Sequence, residues 1–329
     1  MVKLLYIHEM SDHVAYRREI LQELLENDGR FEVENIDRPT SYEDLNTVYD
    51  RLETGDYDIL LSSDPFWIRE TNGRAVAGVA SQPQKLVVYD LSDNWVRKDL
   101  SLRLMRLSDM VGTSSRYLEN LAKENCPTVK LYPNGIRATS IEKDESFTTT
   151  ARYVYSGQIR KLNLVALDRL LALDPEGEVD IYAIDKERAD AVEGYVSPRV
   201  HILEPIPYES LMGRLHAYKY GLVLFPVAGA TKYGMLPDKY FDYCQAGIPT
   251  IYSNCNELAH KDFQKTAFDI YSDNFSLEKI NPTQEDFQEV ISSYNMRKSL
   301  SAFIEDMIAL YNNPQRPPAL EKTWKPYWE

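Results

Sequence analysis

The sequence predicts an α/β protein with two halves, each built around a parallel sheet. Short apolar runs alternate with helical segments along the 329 residues, which is the pattern of successive βαβ units. A chain of this length is long for one ordinary α/β domain and can bury two cores. The polar run Arg137–Thr150, rich in threonine and charge, separates the two halves and is predicted to be a linker.

The first half begins with repeated strand and helix segments. Lys3–Ile7 has the composition of a buried strand, the leucines of Tyr16–Asn27 share one helical face, and Phe31–Ile36 is a second strand. A polar helix near Tyr42–Leu52 and a strand at Tyr57–Ser63 continue the series. The turn after the first strand lacks GxGxxG, which indicates that the chain does not bind a nicotinamide or flavin there.

Two carboxylates follow the predicted strand Lys85–Tyr89. Asp90 and Asp93 lie where this strand ends, and ligands bind at that edge of parallel sheets. Such a pair can hold an acceptor hydroxyl and take its proton, provided that one carboxyl group has a raised pKa. Alternatively, Asp93 and Asn94 cap the turn that starts the helix Arg97–Arg106.

The second half opens with the strand Arg152–Ser156 and a glycine at its end. Gly157 is followed by Arg160 and Lys161, ahead of the helix Leu164–Leu173. A glycine with basic residues at a helix start lets the backbone approach a phosphate group. Solvated surface charge is the alternative interpretation of the two cations.

The most informative stretch is Leu236–Thr250, which lies between the apolar runs Gly221–Pro226 and Thr250–Ser253. Pro237 suits the first turn of a helix and Gly247 suits its end. The stretch therefore predicts a strand, a loop, a helix and a further strand.

Lys239 is unusual because it stands in the first turn of this predicted helix. A cation there faces the positive end of the helix dipole, at a cost of roughly a few tenths of a kcal/mol. Either Asp238 or Asp242 compensates it locally, or Lys239 and the helix N-terminus together hold a phosphate.

The spacing Leu-Pro-x-Lys-x-x-acid-Tyr-x-x-Ala-Gly-x-Pro in Leu236–Pro249 resembles the donor-site helix of GT-B glycosyltransferases, particularly glycosyltransferase family 4 and its relatives. The stretches KLVVYDLSD, LSDMVGTSS and TVKLYPNGI also resemble signatures of that family. The resemblance implies two Rossmann-like domains facing across a cleft. It places the acceptor domain at 1–136, the linker at 137–150 and the nucleotide-sugar domain at 151–312. A tail at 313–329 would pack back on the first domain, anchored by Trp324 and Trp328.

The resemblance also implies which residues bind the donor. Lys239 would lie near the diphosphate, Asp242 would bind the ribose, Arg160 or Lys161 would neutralise the departing diphosphate, and Asp90 would orient or deprotonate the acceptor. The expected donor-binding residues are Gly157, Arg160, Lys161, Ile206, Tyr208, Tyr233, Lys239 and Asp242, with Ile206 and Tyr208 beside the base and Tyr233 in a loop that closes on the donor.

The chain departs from the family pattern at several positions, three of which concern the donor site. Asp242 stands where the family usually has Glu, Gly234 replaces a Glu that contacts the sugar, and Gln158 replaces an Arg after Gly157.

Bulk properties exclude several other classes of protein. A formal charge of −14 does not fit a general nucleic-acid binder, which would show a basic stripe. Cys126, Cys244 and Cys255 are unevenly spaced without CxxC, so we expect neither a disulfide framework nor a zinc site, and a reducing cytoplasm is the simpler compartment. Neither a signal peptide nor a membrane span is evident, so we expect a soluble protein with at most peripheral membrane contact.

Together with the resemblance, these observations predict a metal-independent glycosyltransferase, and the resemblance implies that it retains the anomeric configuration. It would move a sugar from a nucleotide-sugar donor to a carbohydrate, lipid-linked or other hydroxyl acceptor, with no further cofactor. Two alternatives remain: a nucleotide-sugar epimerase of the same fold, and a catalytically silent partner of a true transferase.

Overall fold

The computed structural model describes residues 1–8, 16–37, 42–63, 67, 70–92, 98–137, 141–183, 197–226 and 236–323. The chain forms two compact units. Unit 1 consists of Met1–Asn134 together with Met296–Glu329, and unit 2 consists of Gly135–Asn295. Each unit holds one all-parallel sheet with helices, so the predicted α/β architecture with a sheet in each half is confirmed.

Strands and helices alternate through the first part of unit 1. In chain order they are β1 (Val2–His8), α1 (Tyr16–Asn27), β2 (Phe31–Asp37), α2 (Tyr42–Thr54), β3 (Ile59–Ser62), α3 (Glu70–Ala80), β4 (Leu86–Leu91), α4 (Lys98–Leu107), β5 (Met110–Thr113), α5 (Arg116–Lys123) and β6 (Val129–Leu131).

The same alternation continues through unit 2, after which one helix returns to unit 1. The elements are β7 (Tyr153–Gly157), a 3-10 turn (Ile159–Lys161), α6 (Leu164–Leu173), β8 (Val179–Ala183), β9 (Val200–Leu203), α7 (Tyr208–Leu215), β10 (Tyr220–Leu224), α8 (Asp238–Ala246), β11 (Thr250–Ser253), β12 (Ala267–Asp269), a 3-10 turn (Leu277–Lys279), α9 (Gln284–Ser293) and the returning α10 (Met296–Tyr311).

The order of the strands locates one switch point in each sheet. The first sheet runs β2-β1-β3-β4-β5-β6 and the second runs β12-β11-β10-β7-β8-β9. The direction of progression reverses between β1 and β3 in the first sheet, and between β7 and β10 in the second. Ligands of open α/β sheets bind outside the carboxyl ends of the strands at such points. In unit 2 this edge is marked by Gly157, the last residue of β7.

Both sheets are covered on both faces, which explains why their strands appear as continuous apolar runs in the sequence. Every residue of β4, β8 and β10 is buried. Apolar clusters lie on the two faces of each sheet, so each unit has a core of its own.

Helix α10 packs in the core of unit 1, whereas the sequence analysis placed it in the second domain. Phe303 is fully buried beside Met110 and Tyr132. Its ring closes over β5 at Gly112, where a Cβ atom would stand 2.7 Å from the ring. Helical periodicity shows which face of α10 is apolar, but it does not show which sheet that face covers.

The segment predicted to be a linker belongs to unit 2. Phe147 packs against the core of this unit, with its ring 6.1 Å from that of Tyr218, and the amide of Asp144 donates to the carbonyl of Gly213. The tail beyond α10 is described as far as residue 323, and Ala319 is buried in a unit 1 core. Trp324 and Trp328 lie outside the described residues. No helix in the described ranges has the length and apolarity needed to cross a bilayer.

Candidate functional site

The helix α8 begins beside the switch point of the second sheet. It runs from Asp238 to Ala246 after Pro237, and it ends at Gly247 with φ 73°, a left-handed conformation that favours glycine. The predicted end of this helix at Gly247 is therefore confirmed, whereas Pro237 stands at the N-cap position, directly before the first turn. Pro237 makes no side-chain capping hydrogen bond, so the first-turn amides are not capped by the residue at the N-cap position.

Lys239 extends from the first turn of α8 to the end of β7. Its Nζ lies 4.0 Å from the centroid of the Tyr155 ring. A Cβ atom on Gly157 would stand only 2.9 Å from that nitrogen, and Gly157 has φ 125°. The missing side chain and the positive φ of this glycine therefore allow the ammonium group to lie directly against the end of the strand.

The ammonium group of Lys239 has no carboxylate partner within ion-pair distance among the described residues. Burial lowers its pKa to about 7, and the nearby positive charge of Lys161 acts in the same direction. Asp242 and Asp238 are close enough to oppose this shift in pKa without forming an ion pair with the lysine. A partly buried cation in this situation favours an anionic ligand.

Asp242 lies one turn further along α8 and is 6% exposed. Arg137 Nη2 donates to one carboxylate oxygen at 2.6 Å, and the Tyr208 hydroxyl donates to the other at 2.9 Å. The guanidinium group of Arg137 also lies over the Tyr208 ring, 4.6 Å from its centroid. Burial raises the pKa of Asp242, whereas Arg137 and Tyr208 act against this rise and favour the carboxylate.

Arg137 is a component of the site that the sequence analysis missed, because it lies in the segment interpreted as a linker. It is 105 positions away from Asp242 in the chain, so no local spacing connects the two residues. One feature of the sequence could have indicated Arg137. It directly follows Pro133-Asn134-Gly135-Ile136, the turn predicted at the end of the first half, and unit 2 begins at Gly135.

The other predicted donor residues have different surroundings. Lys161 lies near enough to Lys239 to lower its pKa, whereas Arg160 is exposed and donates to Gln158 Oε1 at 3.2 Å. Ile206 is half-buried and packs against the unit 2 core. Tyr233 lies outside the described residues.

In unit 1, Asp90 is fully buried and paired, a situation that the sequence analysis did not predict. Arg17 Nη2 donates to its carboxylate at 2.8 Å, and Arg17 Nε lies 3.2 Å from both carboxylate oxygens. Arg17 Nη1 also donates to the carbonyl of Tyr132 at 2.9 Å. Arg17 thus holds the carboxylate of Asp90 in a buried ion pair, and the role of Asp90 as a base or acceptor-orienting group stays a prediction. Asp93 lies outside the described residues.

The described residues contain no group of three histidine, cysteine, aspartate or glutamate side chains that could hold a metal ion. The identified features in unit 2 are instead a cation without an anionic partner and a carboxylate held by an arginine and a tyrosine. Both groups lie on α8, next to the end of β7.

Comparison with known proteins supports the fold. No protein-family model matches the sequence, and no curated protein matches it. The chain is similar to the solved structure of AviGT4, described as a glycosyltransferase involved in avilamycin A biosynthesis, with a TM-score of 0.61, 10% identity, and coverage of 94% of this chain and 98% of that one.

Two further solved structures are similar over nearly their whole length. A UDP-N-acetylglucosamine 2-epimerase from Rickettsia bellii has a TM-score of 0.57 at 10% identity, covering 94% of this chain and 96% of that one. An alpha-glucosyltransferase in complex with UDP and a 13-mer DNA has a TM-score of 0.57 at 12% identity, covering 95% and 99%.

These similarities and the two six-stranded parallel sheets define the fold of GT-B glycosyltransferase structures. The predicted fold class is confirmed. Membership of glycosyltransferase family 4 stays a prediction.

Proposed function

We propose that this chain binds a nucleoside-diphosphate sugar in unit 2 and transfers its sugar to the hydroxyl group of an acceptor. The observation that carries this proposal is the position of Lys239. Its ammonium group is partly buried, lies against the end of β7 at the switch point, and has no carboxylate partner in the described parts of the chain. A diphosphate would supply the missing negative charge.

The transfer reaction leaves a nucleoside diphosphate on which negative charge grows as the bond to the sugar breaks. Lys239 and the N-terminus of α8 would stabilise that charge, with Lys161 or Arg160 adding further positive charge. Asp242 would accept a hydrogen bond from a ribose hydroxyl group. Arg137 and Tyr208 would keep its carboxylate ionised and oriented.

The other parts of the proposal concern the base, the acceptor and the course of the reaction. Gly157, Ile206, Tyr208 and Tyr233 would complete the donor site, with Ile206 and Tyr208 towards the base. The acceptor would be a carbohydrate or a lipid-linked hydroxyl compound bound by unit 1, where Asp93 and Asp90 are the predicted acceptor-side acids. The sugar would keep its anomeric configuration, and no divalent metal would be needed because lysine side chains supply the positive charge.

The proposed compartment is the cytoplasm. All three cysteines are buried free thiols, which fits a reducing compartment. Peripheral contact with a membrane remains part of the proposal for a lipid-linked acceptor.

The test begins with binding. Thermal-shift screening against UDP, GDP, ADP and dTDP sugars should show stabilisation by one nucleotide series, and turnover with that donor should continue in EDTA. Lys239→Met should abolish the stabilisation, whereas Lys261→Met, which removes an exposed lysine of the same unit, should retain it. Absence of stabilisation by every nucleotide would contradict the proposal. Loss of turnover in EDTA with recovery in manganese would contradict its metal-independent form.

A nucleotide-sugar epimerase is the second candidate, because structures described as UDP-N-acetylglucosamine 2-epimerases are also similar to this chain. Incubation of UDP-N-acetylglucosamine without an acceptor, followed by proton NMR, distinguishes the two reactions. An epimerase would change the configuration at the sugar C2 atom, whereas the proposed transferase would need an acceptor. A catalytically silent partner would bind the donor and convert nothing under either condition.

A further inference from the structure

Asp238, the first residue of α8, has a buried carboxylate oxygen that lacks a hydrogen-bond partner. Its Oδ1 atom is almost inaccessible to solvent, and no donor reaches it within the described chain. Asp238 is adjacent in sequence to Lys239 and is close enough to raise the pKa values of both Lys239 and Asp242. The carboxylate is therefore part of the charged cluster at the start of this helix.

Asp238 and Lys239 carry opposite charges on consecutive residues, yet they form no ion pair with each other. The lysine instead extends over the Tyr155 ring to Gly157. A negative charge in the first turn complements the helix dipole, but this favourable term does not supply a donor to a buried oxygen. A buried acceptor left without a donor lowers stability, so this oxygen is available to accept a hydrogen bond from a donor outside the described chain.

A ligand that satisfies both groups must present an anionic group to Lys239 and an O–H or N–H donor to Asp238. A free nucleoside diphosphate supplies the anionic group in the form of its phosphates. A nucleotide sugar supplies the same phosphates and adds hydroxyl groups, or an acetamido N–H group, directly beyond them. The pair of unsatisfied groups therefore fits the sugar-diphosphate part of the donor better than it fits the nucleotide alone.

We propose that Asp238 determines sugar specificity by accepting a hydrogen bond from a hydroxyl or amide N–H group of the donor sugar. This inference rests on the proposed nucleotide-sugar function. It adds the prediction that the negative charge of Asp238 has opposite effects on the affinity for a free nucleoside diphosphate and for a nucleotide sugar. A carboxylate near the diphosphate repels a free nucleoside diphosphate, whereas the same carboxylate attracts the sugar through its hydrogen-bond donor.

The experiment compares UDP with UDP-glucose and UDP-N-acetylglucosamine by isothermal titration calorimetry. For Asp238→Asn and Asp238→Ala, the Kd of UDP should stay unchanged or become smaller, because a repulsive charge has been removed. The Kd of the preferred UDP sugar should rise by about ten- to a hundredfold, as expected for the loss of a hydrogen bond to a charged group. Asp273→Asn, at an exposed site in the same unit, is the matched control and should change neither value.

Thermal unfolding of the free protein checks that Asp238→Asn and Asp238→Ala remain folded at the temperature of the titration. The inference is overturned if both variants weaken UDP and UDP sugars equally, or if neither variant affects the sugars. If the protein binds UDP but substitutions at residue 238 leave the Kd of the UDP sugars unchanged, only this inference is contradicted. Failure of the wild-type protein to bind any UDP ligand or any other nucleotide sugar of the screening panel would remove the proposed function as well.

Discussion

We expect Lys239 to make the folded protein less stable when no anion is bound, and this effect should depend on pH in a definite direction. A lysine in an unfolded chain titrates near 10.4, whereas burial lowers the pKa of Lys239 in the fold to about 7. Between these two values the unfolded state binds more protons than the folded state, so stability rises as the pH increases. Below pH 7 the folded protein carries the full penalty of a buried charge.

Lys239→Met should therefore raise the Tm of the free protein, with the largest difference from wild type below pH 7. The difference should become smaller as the pH rises from 7 towards 10, because the wild-type lysine is then neutral in the fold. Thermal unfolding at several pH values measures this trend, and Lys261→Met is the exposed control. A variant less stable than wild type at every pH would show that Lys239 has a structural partner and is not held for a ligand.

The residues of the site differ in how far the sequence could predict them. Lys239 could be identified from the sequence because a cation in the first turn of a helix is unusual, and a few neighbouring residues are enough to locate that turn. Arg137 was not identifiable, because its partner is 105 positions away and nothing near it in the sequence records the contact. The pairing of Asp90 with Arg17, across 73 positions, was missed for the same reason.

Strand β7 and helix α8 together form the site through one close approach, which depends on a glycine. Gly157 has φ 125°, and a Cβ atom there would lie 2.9 Å from Lys239 Nζ. Gly157→Ala should therefore lower stability by about 1–3 kcal/mol, the range for strained backbone conformations. It should also weaken nucleotide binding, because the added methyl group displaces the ammonium group from the end of the strand.

Gly247→Ala is the matched control for this prediction. Gly247 also has a positive φ, 73°, but a Cβ atom there would approach Gln284 at 3.6 Å rather than Lys239. We expect this variant to lose stability to a similar extent while it keeps the wild-type Kd for the nucleotide. Urea unfolding and calorimetry measure the two effects separately. Equal nucleotide affinity in both variants would contradict the role assigned to the contact between Gly157 and Lys239.

At the level of elements, the sequence predicts well what depends on neighbouring residues. The end of α8 at Gly247 follows from one residue with a positive φ, and the buried strands follow from apolar runs of the expected length. Assignment of α10 to a sheet depends on long-range packing, such as that of Phe303 on Gly112. Helical periodicity identifies the apolar face of α10, but it does not identify the sheet against which that face packs.

The whole molecule is divided into two units, each with its own core. Substitutions that affect nucleotide binding are therefore expected in one unit, and substitutions that affect the Asp90–Arg17 ion pair in the other. Lys239, Asp242 and Arg137 belong to unit 2, whereas the Asp90–Arg17 ion pair belongs to unit 1. Arg17 connects α1 with Asp90 on β4 and with the carbonyl of Tyr132 just after β6. This ion pair therefore ties together separate segments of unit 1, and its loss should affect the stability of that unit first.

Asp90→Asn removes the negative charge and leaves the Arg17 guanidinium group buried without a counter-ion. Breaking a buried ion pair in this way costs about 3–5 kcal/mol, so the unfolding midpoint in urea should fall clearly. Nucleotide binding by unit 2 should keep its wild-type Kd at temperatures where the variant remains folded. Asp50→Asn, at an exposed site on α2, is the control and should change the free energy of unfolding by less than about 0.5 kcal/mol.

The same variant decides between the two roles considered for Asp90. If it acts through the ion pair, Asp90→Asn reduces stability, and the double variant Arg17→Met/Asp90→Asn recovers part of the loss because no uncompensated charge remains. If Asp90 were the general base predicted from the sequence, Asp90→Asn would abolish turnover while the urea midpoint stayed at the wild-type value. That second result would overturn the structural role, because a carboxylate needed only for proton transfer contributes little to the free energy of unfolding.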